Sequence, residues 1–145
     1  MNNIILFFLM FCGGLAVALQ PSINSRLAQK IGFIESSCIS FAVGTLALYF
    51  VALVAGRGNF RNLPEAAWWE LSGGLLGAYF VSMTILAVPR IGTTAALAAT
   101  ITAQLLTGLF LDTFGFFGFR QIPFDLKRAV GVALLIAGTS LVFRR

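Results

Sequence analysis

Apolar residues run through this chain in long blocks, and polar residues fall in short interruptions between them. The first block, Ile4 to Leu19, is broken by Gln20-Pro21; later interruptions centre on Arg57-Gly58-Asn59, Pro89-Arg90 and Arg120 to Asp125. A helix needs about 20 mostly apolar residues to cross the hydrocarbon core of a bilayer. The pattern predicts five such helices, approximately over residues 3–27, 34–55, 65–88, 91–111 and 126–143. Pro21 removes a backbone donor and is expected to bend the first. Gly56 to Leu63 is a polar turn. Pro64-Glu65 is expected to open the third helix, because proline and an acid suit the first turn. Trp68 and Trp69 then sit where an interfacial aromatic belt belongs. Asp112 to Asp125, rich in Gly and Phe, is expected to be a partly buried interfacial loop.

Composition turns this pattern into a fold class. The chain has 145 residues, 59% apolar and 10% charged, with mean hydropathy +0.93. An ordinary soluble domain carries about a quarter charged residues. A soluble fold this small would leave much apolar surface in water. The expected fold is therefore all-α, a single integral membrane bundle of five transmembrane helices over residues 1–145, with the lipid bilayer as solvent. Five helices are few walls for a pathway, which points to an oligomer. Ala16-Val17-Ala18 matches a small-x-small cleavage pattern, but no basic region precedes it, so the first helix is expected to stay attached.

The net charge of +5 adds less than its size suggests. Lys and Arg lie singly or in pairs at the ends of apolar blocks, as membrane-flanking residues do, so no nucleic-acid partner is expected. The sequence holds no His, which removes imidazole bases and ligands. Cys12 and Cys38 fall at different depths and are expected to be small buried thiols, neither a disulfide nor a metal site. No Walker loop, nucleophile elbow, HExxH motif or catalytic carboxylate pair is present, so no enzyme activity, cofactor or metal is expected.

The distribution of charge is more informative. Five spans put the termini on opposite sides. Arg57, Arg61, Arg120, Lys127 and Arg128 then share the N-terminal side, and Arg26, Lys30, Arg90, Arg144 and Arg145 the other. The ten Lys and Arg divide five to five. Orientation normally follows an excess of these residues on the cytoplasmic side. Without that bias, the chain is expected to insert both ways and to pair antiparallel; the alternative is one orientation set by the first helix or by hydrophobicity, with the even count accidental.

Polar residues inside the apolar blocks mark faces that avoid lipid. Gly13, Ala16, Gln20 and Asn24 share one face of the first helix; Thr93, Thr100, Gln104 and Thr107 share one face of the fourth. Such stripes either hydrogen-bond other helices or line a cavity. The amides of Gln20, Asn24 and Gln104 favour the cavity, because a lone amide is hard to satisfy in a dry bundle. Gln20 lies about 7 Å past the middle of its predicted helix, and Gln104 about 4–5 Å past the middle of its own, in opposite directions across the bilayer. An in-plane twofold axis would bring the two to similar depth. Tyr79 and Thr100 fall near the midplane, where transporter sites lie. These five form the expected substrate site, with Asp112, at the end of the fourth helix, a candidate gate or coupling residue. Gly73 and Gly77, with Ala129, Ala133, Gly131 and Gly138, are expected to serve close helix packing.

Several of these residues carry a family resemblance. Leu19-Gln20 with Asn24-Ser25-Arg26-Leu27, Ser40-Phe41 with Gly44-Thr45, Trp68-Trp69 with Gly73-Gly74 and Gly77, Pro89-Arg90-Ile91-Gly92, and Gln104 with Asp112 and Phe114-Gly115 together resemble the YdcZ-type family of five-helix bacterial inner-membrane proteins. That family belongs to the drug/metabolite transporter superfamily. The resemblance implies half of an inverted-repeat transporter, working as an antiparallel homodimer or with an oppositely oriented paralogue, and moving a small-molecule solute by alternating access. It also implies functional roles for Gln20, Asn24, Gln104 and Asp112. No acidic residue stands at mid-depth, unlike the small multidrug pumps of the superfamily, which argues against drug–proton antiport. The alternative is a non-transporting membrane subunit or scaffold whose polar stripes only pack against other helices.

Overall fold

The computed structural model describes residues 2–118 and 120–143. The ledger residues Arg144 and Arg145 lie outside them. Among the described residues the chain is all helical, with α1 over Asn3–Ile31, α2 over Phe33–Ala55, α3 over Gly73–Ile91, α4 over Thr93–Phe114 and α5 over Leu126–Phe143. Two 3-10 turns, Phe60–Glu65 and Trp68–Ser72, precede α3, and a third, Phe116–Gly118, follows α4. Among the described residues, four segments are long and apolar enough to cross a membrane: Asn3–Ile31, Phe33–Ala55, Trp68–Ile91 and Thr93–Phe114. The fifth helix, α5, has 18 residues, about 27 Å of helix, with Lys127 and Arg128 in its first turn.

The helix ends follow from local chemistry. The Asn2 side chain caps α1 by accepting from the Ile4 N–H at 3.3 Å, as short polar residues do at N-termini. The helix continues through the buried Pro21 to Ile31. Gly32 alone separates α1 from α2, with φ 100° and ψ 157°, a backbone region essentially restricted to glycine. Gly92, between α3 and α4, repeats it with φ 84° and ψ 154°. The third helix starts later than Pro64-Glu65. Ala66 is extended after the first 3-10 turn, and Ala67 is extended too. The Glu70 carboxylate accepts from the Ala67 N–H at 2.7 Å, which starts a new turn at Trp68 and delays the α-helix to Gly73. At the far end of α4, the Gly115 N–H donates to the Leu111 carbonyl at 2.9 Å.

By its internal contacts the chain falls into two compact units, Met1–Arg90 and Ile91–Arg145. The first is the α1–α2 hairpin with α3. Its buried side chains are few: Pro21, Val81, Ile85 and Val88 among the apolar ones, with Asn24, Ser25, Ser36, Ser37 and Thr84. The second unit is the α4–α5 hairpin, joined at mid-length by Thr102 and Thr139, whose hydroxyls lie 2.7 Å apart. Most large apolar side chains of both units stay exposed, from Phe7 and Met10 on α1 to Leu134 and Leu141 on α5. Apolar faces on so many sides suit lipid and further helices better than water.

Two expectations are corrected. Cys12 and Cys38 are exposed, unpaired thiols, because both stand on outward faces of their helices. The segment after α4 is more open than the partly buried interfacial loop expected. Phe116, Phe117, Ile122 and Phe124 are all exposed, because the hairpin stacks its aromatic residues on one another instead of under a covering helix. Phe110 and Phe116, for example, stack with ring centroids 5.5 Å apart.

Candidate functional site

The structure distributes the expected site residues between two settings. In the first unit, Asn24 is buried and belongs to a seam of small hydroxyls. Its Nδ2 donates to Ser40 Oγ at 3.0 Å, and the Ser36 hydroxyl donates to its backbone carbonyl at 2.8 Å. Ser25 extends the seam to α3 by donating to the Ile85 carbonyl at 3.1 Å. Ser82 of α3 donates to Ser37 of α2 at 2.9 Å. Serine suits these places because its side chain is small enough to let backbones approach and still satisfies a carbonyl or hydroxyl. The Asn24 amide thus joins α1 to α2. Gln20, one turn earlier, is half-buried. Tyr79 lies at the middle of the span Trp68–Ile91 with 69% of its surface exposed.

The second unit holds a groove. Gln104, Gly108 and Asp112 recur every four residues and so share one face of α4. Opposite them stand Arg128, Gly131, Val132 and Leu135 of α5, and together with Leu105 and Leu109 they enclose about 330 Å³. Gly108 and Gly131 open this space, since a Cβ added at either would meet nothing within 4 Å. Because α4 runs from Thr93 to Phe114, Gln104 stands near its middle and is solvent-accessible in the single chain. Asp112 closes one end of the groove. Its Oδ2 accepts from Arg128 Nη2 at 3.1 Å, with both side chains 40% exposed. The backbone carbonyl of Asp112 also accepts from the Ile122 N–H at 2.9 Å, which fixes the loop against the end of α4. Thr100, one turn before Gln104, donates to the Ala96 carbonyl at 2.9 Å and contributes no free hydroxyl proton to the groove.

Gln104 and Asp112 therefore meet in one groove, while Gln20, Asn24 and Tyr79 belong to the other unit. The residues sequence reasoning missed are Arg128, Gly108 and the seam partners Ser36 and Ser40. Arg128 had a signal: an acid in the last turn of one helix and a base in the first turn of the next face each other across an antiparallel hairpin. Of the expected packing glycines, Gly77 stands close beneath α2, where an added Cβ would lie 3.2 Å from Phe41 Cζ, while Gly73 has nothing within 4 Å. Gly131 lines the groove. Ala129 is half-buried, and Ala133 and Gly138 are exposed on α5. Among the described residues, no three Cys, Asp or Glu side chains gather where they would hold a metal ion.

The chain is 28% identical to "Inner membrane protein YdcZ" of Escherichia coli strain K12, an alignment that covers all of this chain and 99% of that protein. No solved structure matches it. The family model described as "Putative inner membrane exporter, YdcZ" matches residues 5–141. A match of that extent, on a chain of long apolar helices, makes this a multi-pass inner membrane protein and a member of the YdcZ family.

Proposed function

We propose that the chain is one half of a small-molecule transporter, an exporter by the description of its family, built from two copies in opposite orientation that alternate access to a shared site. In this reading α5 completes a five-span bundle, and its partner is a second copy or an oppositely oriented paralogue. The α4–α5 groove carries the proposal. It combines an amide, a carboxylate and a guanidinium with apolar walls, the composition of a small-molecule site, in a chain whose other polar seams are internally bonded. The even split of Lys and Arg supports the paired, inverted arrangement. Gln104 holds the solute, and Asp112 gates the groove through Arg128.

A scaffold reading draws on the same seams, because Asn24–Ser40 and Thr102–Thr139 are what a purely packing subunit would also contain. Efflux separates the two. Liposomes loaded with mixed cationic, anionic and zwitterionic solutes are reconstituted with the purified protein, and release is followed by mass spectrometry. Transport predicts release of at least one class above that from empty liposomes, and its loss in Gln104→Leu with the fold retained. No release from wild type, or equal release from the variant, rejects the transport reading or the site respectively.

A further inference from the structure

We infer that the α4–α5 groove takes an amphipathic zwitterion: a solute with one ammonium, one carboxylate and an apolar tail. The inference rests on the reading of this groove as the solute site and names the class of solute. The end of the groove holds one acid and one base, Asp112 and Arg128, already paired at 3.1 Å. Its charge is therefore zero, and the solute that enters must leave it zero. A simple cation would take Asp112 and leave the Arg128 guanidinium without its partner. A simple anion would take Arg128 and strand the Asp112 carboxylate. Either leaves one member of the pair unmatched beside apolar walls, so a solute that matches both is preferred. A zwitterion replaces the one internal pair with two, its ammonium on Asp112 and its carboxylate on the Arg128 fork, which presents donors in a geometry suited to carboxylates.

The existing pair is well placed to be exchanged. Both side chains are 40% exposed, so the bond between them is weak and opens readily. Beyond it the groove is apolar, with Leu105, Leu109, Val132 and Leu135 as walls and the bare backbones of Gly108 and Gly131 between them. That corridor suits an apolar tail. Gln104 stands two helical turns from Asp112, about 12 Å along the axis, and offers one further polar contact at the tail's far end.

Three probes of shared skeleton test the inference: L-phenylalanine carries both charges, 2-phenylethylamine only the ammonium and 3-phenylpropanoate only the carboxylate. Each is titrated against the purified detergent-solubilised protein, with thermal unfolding as readout, since a ligand that binds only the folded state raises its midpoint. L-Phenylalanine is expected to stabilise at least about tenfold lower concentration than either single-charge probe. Arg128→Gln should bring 2-phenylethylamine level with L-phenylalanine, and Asp112→Asn should do the same for 3-phenylpropanoate. The exchanged double variant Asp112→Arg/Arg128→Asp should restore the zwitterion preference. Gly131→Leu, which fills the groove, should abolish all three responses, and ligand-free melting reports whether each variant folds. Equal response to the three probes, or unchanged preference in the single variants, overturns the inference. So does stabilisation by phosphatidylethanolamine in place of L-phenylalanine, which would assign the pair to a lipid headgroup. Efflux of L-phenylalanine from proteoliposomes is scored separately: selective binding without efflux ends the transport reading and leaves the solute class standing.

Discussion

The Ser36 hydroxyl, wholly excluded from solvent, donates to the backbone carbonyl of Asn24 at 2.8 Å, tying the start of α2 to the last turns of α1. The bond crosses the hairpin closed by Gly32, at a side chain with no exposed surface. Ser36→Ala keeps the shape and removes the donor, so a loss of about 1 kcal/mol is expected. Ser36→Leu adds volume with nowhere to go and should cost more, roughly 1–3 kcal/mol of overpacking above that. Reversible unfolding in mixed detergent micelles would measure both. A fully stable Ser36→Leu would show that the hairpin does not close as described.

Gly32 makes that hairpin possible, and its replacement separates strain from clash. Its φ of 100° and ψ of 157° cost any other residue about 1–3 kcal/mol. A Cβ there would also run into the Glu35 carboxylate, but that is the far end of a flexible chain and can swing away. Gly32→Ala should therefore destabilise by most of that range, and Gly32→Ala/Glu35→Ala should recover little of it. Large recovery in the double variant would place the cost in the clash and not in the backbone. Gly92 has nearly the same dihedrals and nothing within 4 Å, so Gly92→Ala serves as the clash-free reference.

The residues of the groove and seams show what can be read in a sequence of this kind. Long apolar blocks carry the helices, because hydrocarbon admits no unpaired backbone and leaves few alternatives to a helix. The sequence put Gln104 on a polar face with Thr93, Thr100 and Thr107 and placed Asp112 only at the end of that helix; that the two share one groove came from the structure. Which neighbour that face meets depends on hairpin register, and register depends on turns as short as Gly32. Arg128 was thus legible as a flanking base and not as the partner of Asp112. Asn24 was legible as a residue that avoids lipid, yet the choice between cavity and seam lay in Ser36 and Ser40, which share one face of α2 at i and i+4 but do not show in the sequence which helix that face meets. The late start of α3 was hidden for another reason: alanine favours helix, and only the Glu70 carboxylate on the Ala67 N–H explains the break.

Gly77 and Gly73 provide an internal comparison of close packing. Alanine at Gly77 places its Cβ 3.2 Å from Phe41 Cζ, so the ring must yield by a few tenths of an ångström. Leucine cannot be absorbed so easily and is expected to cost about 1–3 kcal/mol. At Gly73, where nothing lies within 4 Å, alanine should change stability by less than about 0.5 kcal/mol. Paired unfolding curves for Gly73→Ala, Gly77→Ala and Gly77→Leu test this order. Equal effects of leucine and alanine at Gly77 would mean that α2 and α3 are free to separate there.

The charge balance makes the most general prediction. If all five helices span, Lys and Arg divide evenly and the positive-inside rule favours neither orientation. A fluorescent reporter active only in the cytoplasm and a phosphatase active only outside it, each fused to the C-terminus, should both give signal. The polar segment between α2 and α3 is the place to unbalance the ledger. Asn59 caps the turn there by accepting from the Arg61 N–H at 3.0 Å, whereas Asn62 and Gly58 are exposed. Gly58→Lys with Asn62→Lys adds two charges to one side without removing that cap. The doubly substituted chain should hold this segment in the cytoplasm, which silences one reporter and raises the other. If function needs both orientations, efflux should fall with the minority orientation and return when an oppositely biased variant, carrying the added lysines on the other side, is co-expressed. Signal from one reporter alone in the unmodified chain would exclude the antiparallel homodimer and leave the paired paralogue as the inverted partner.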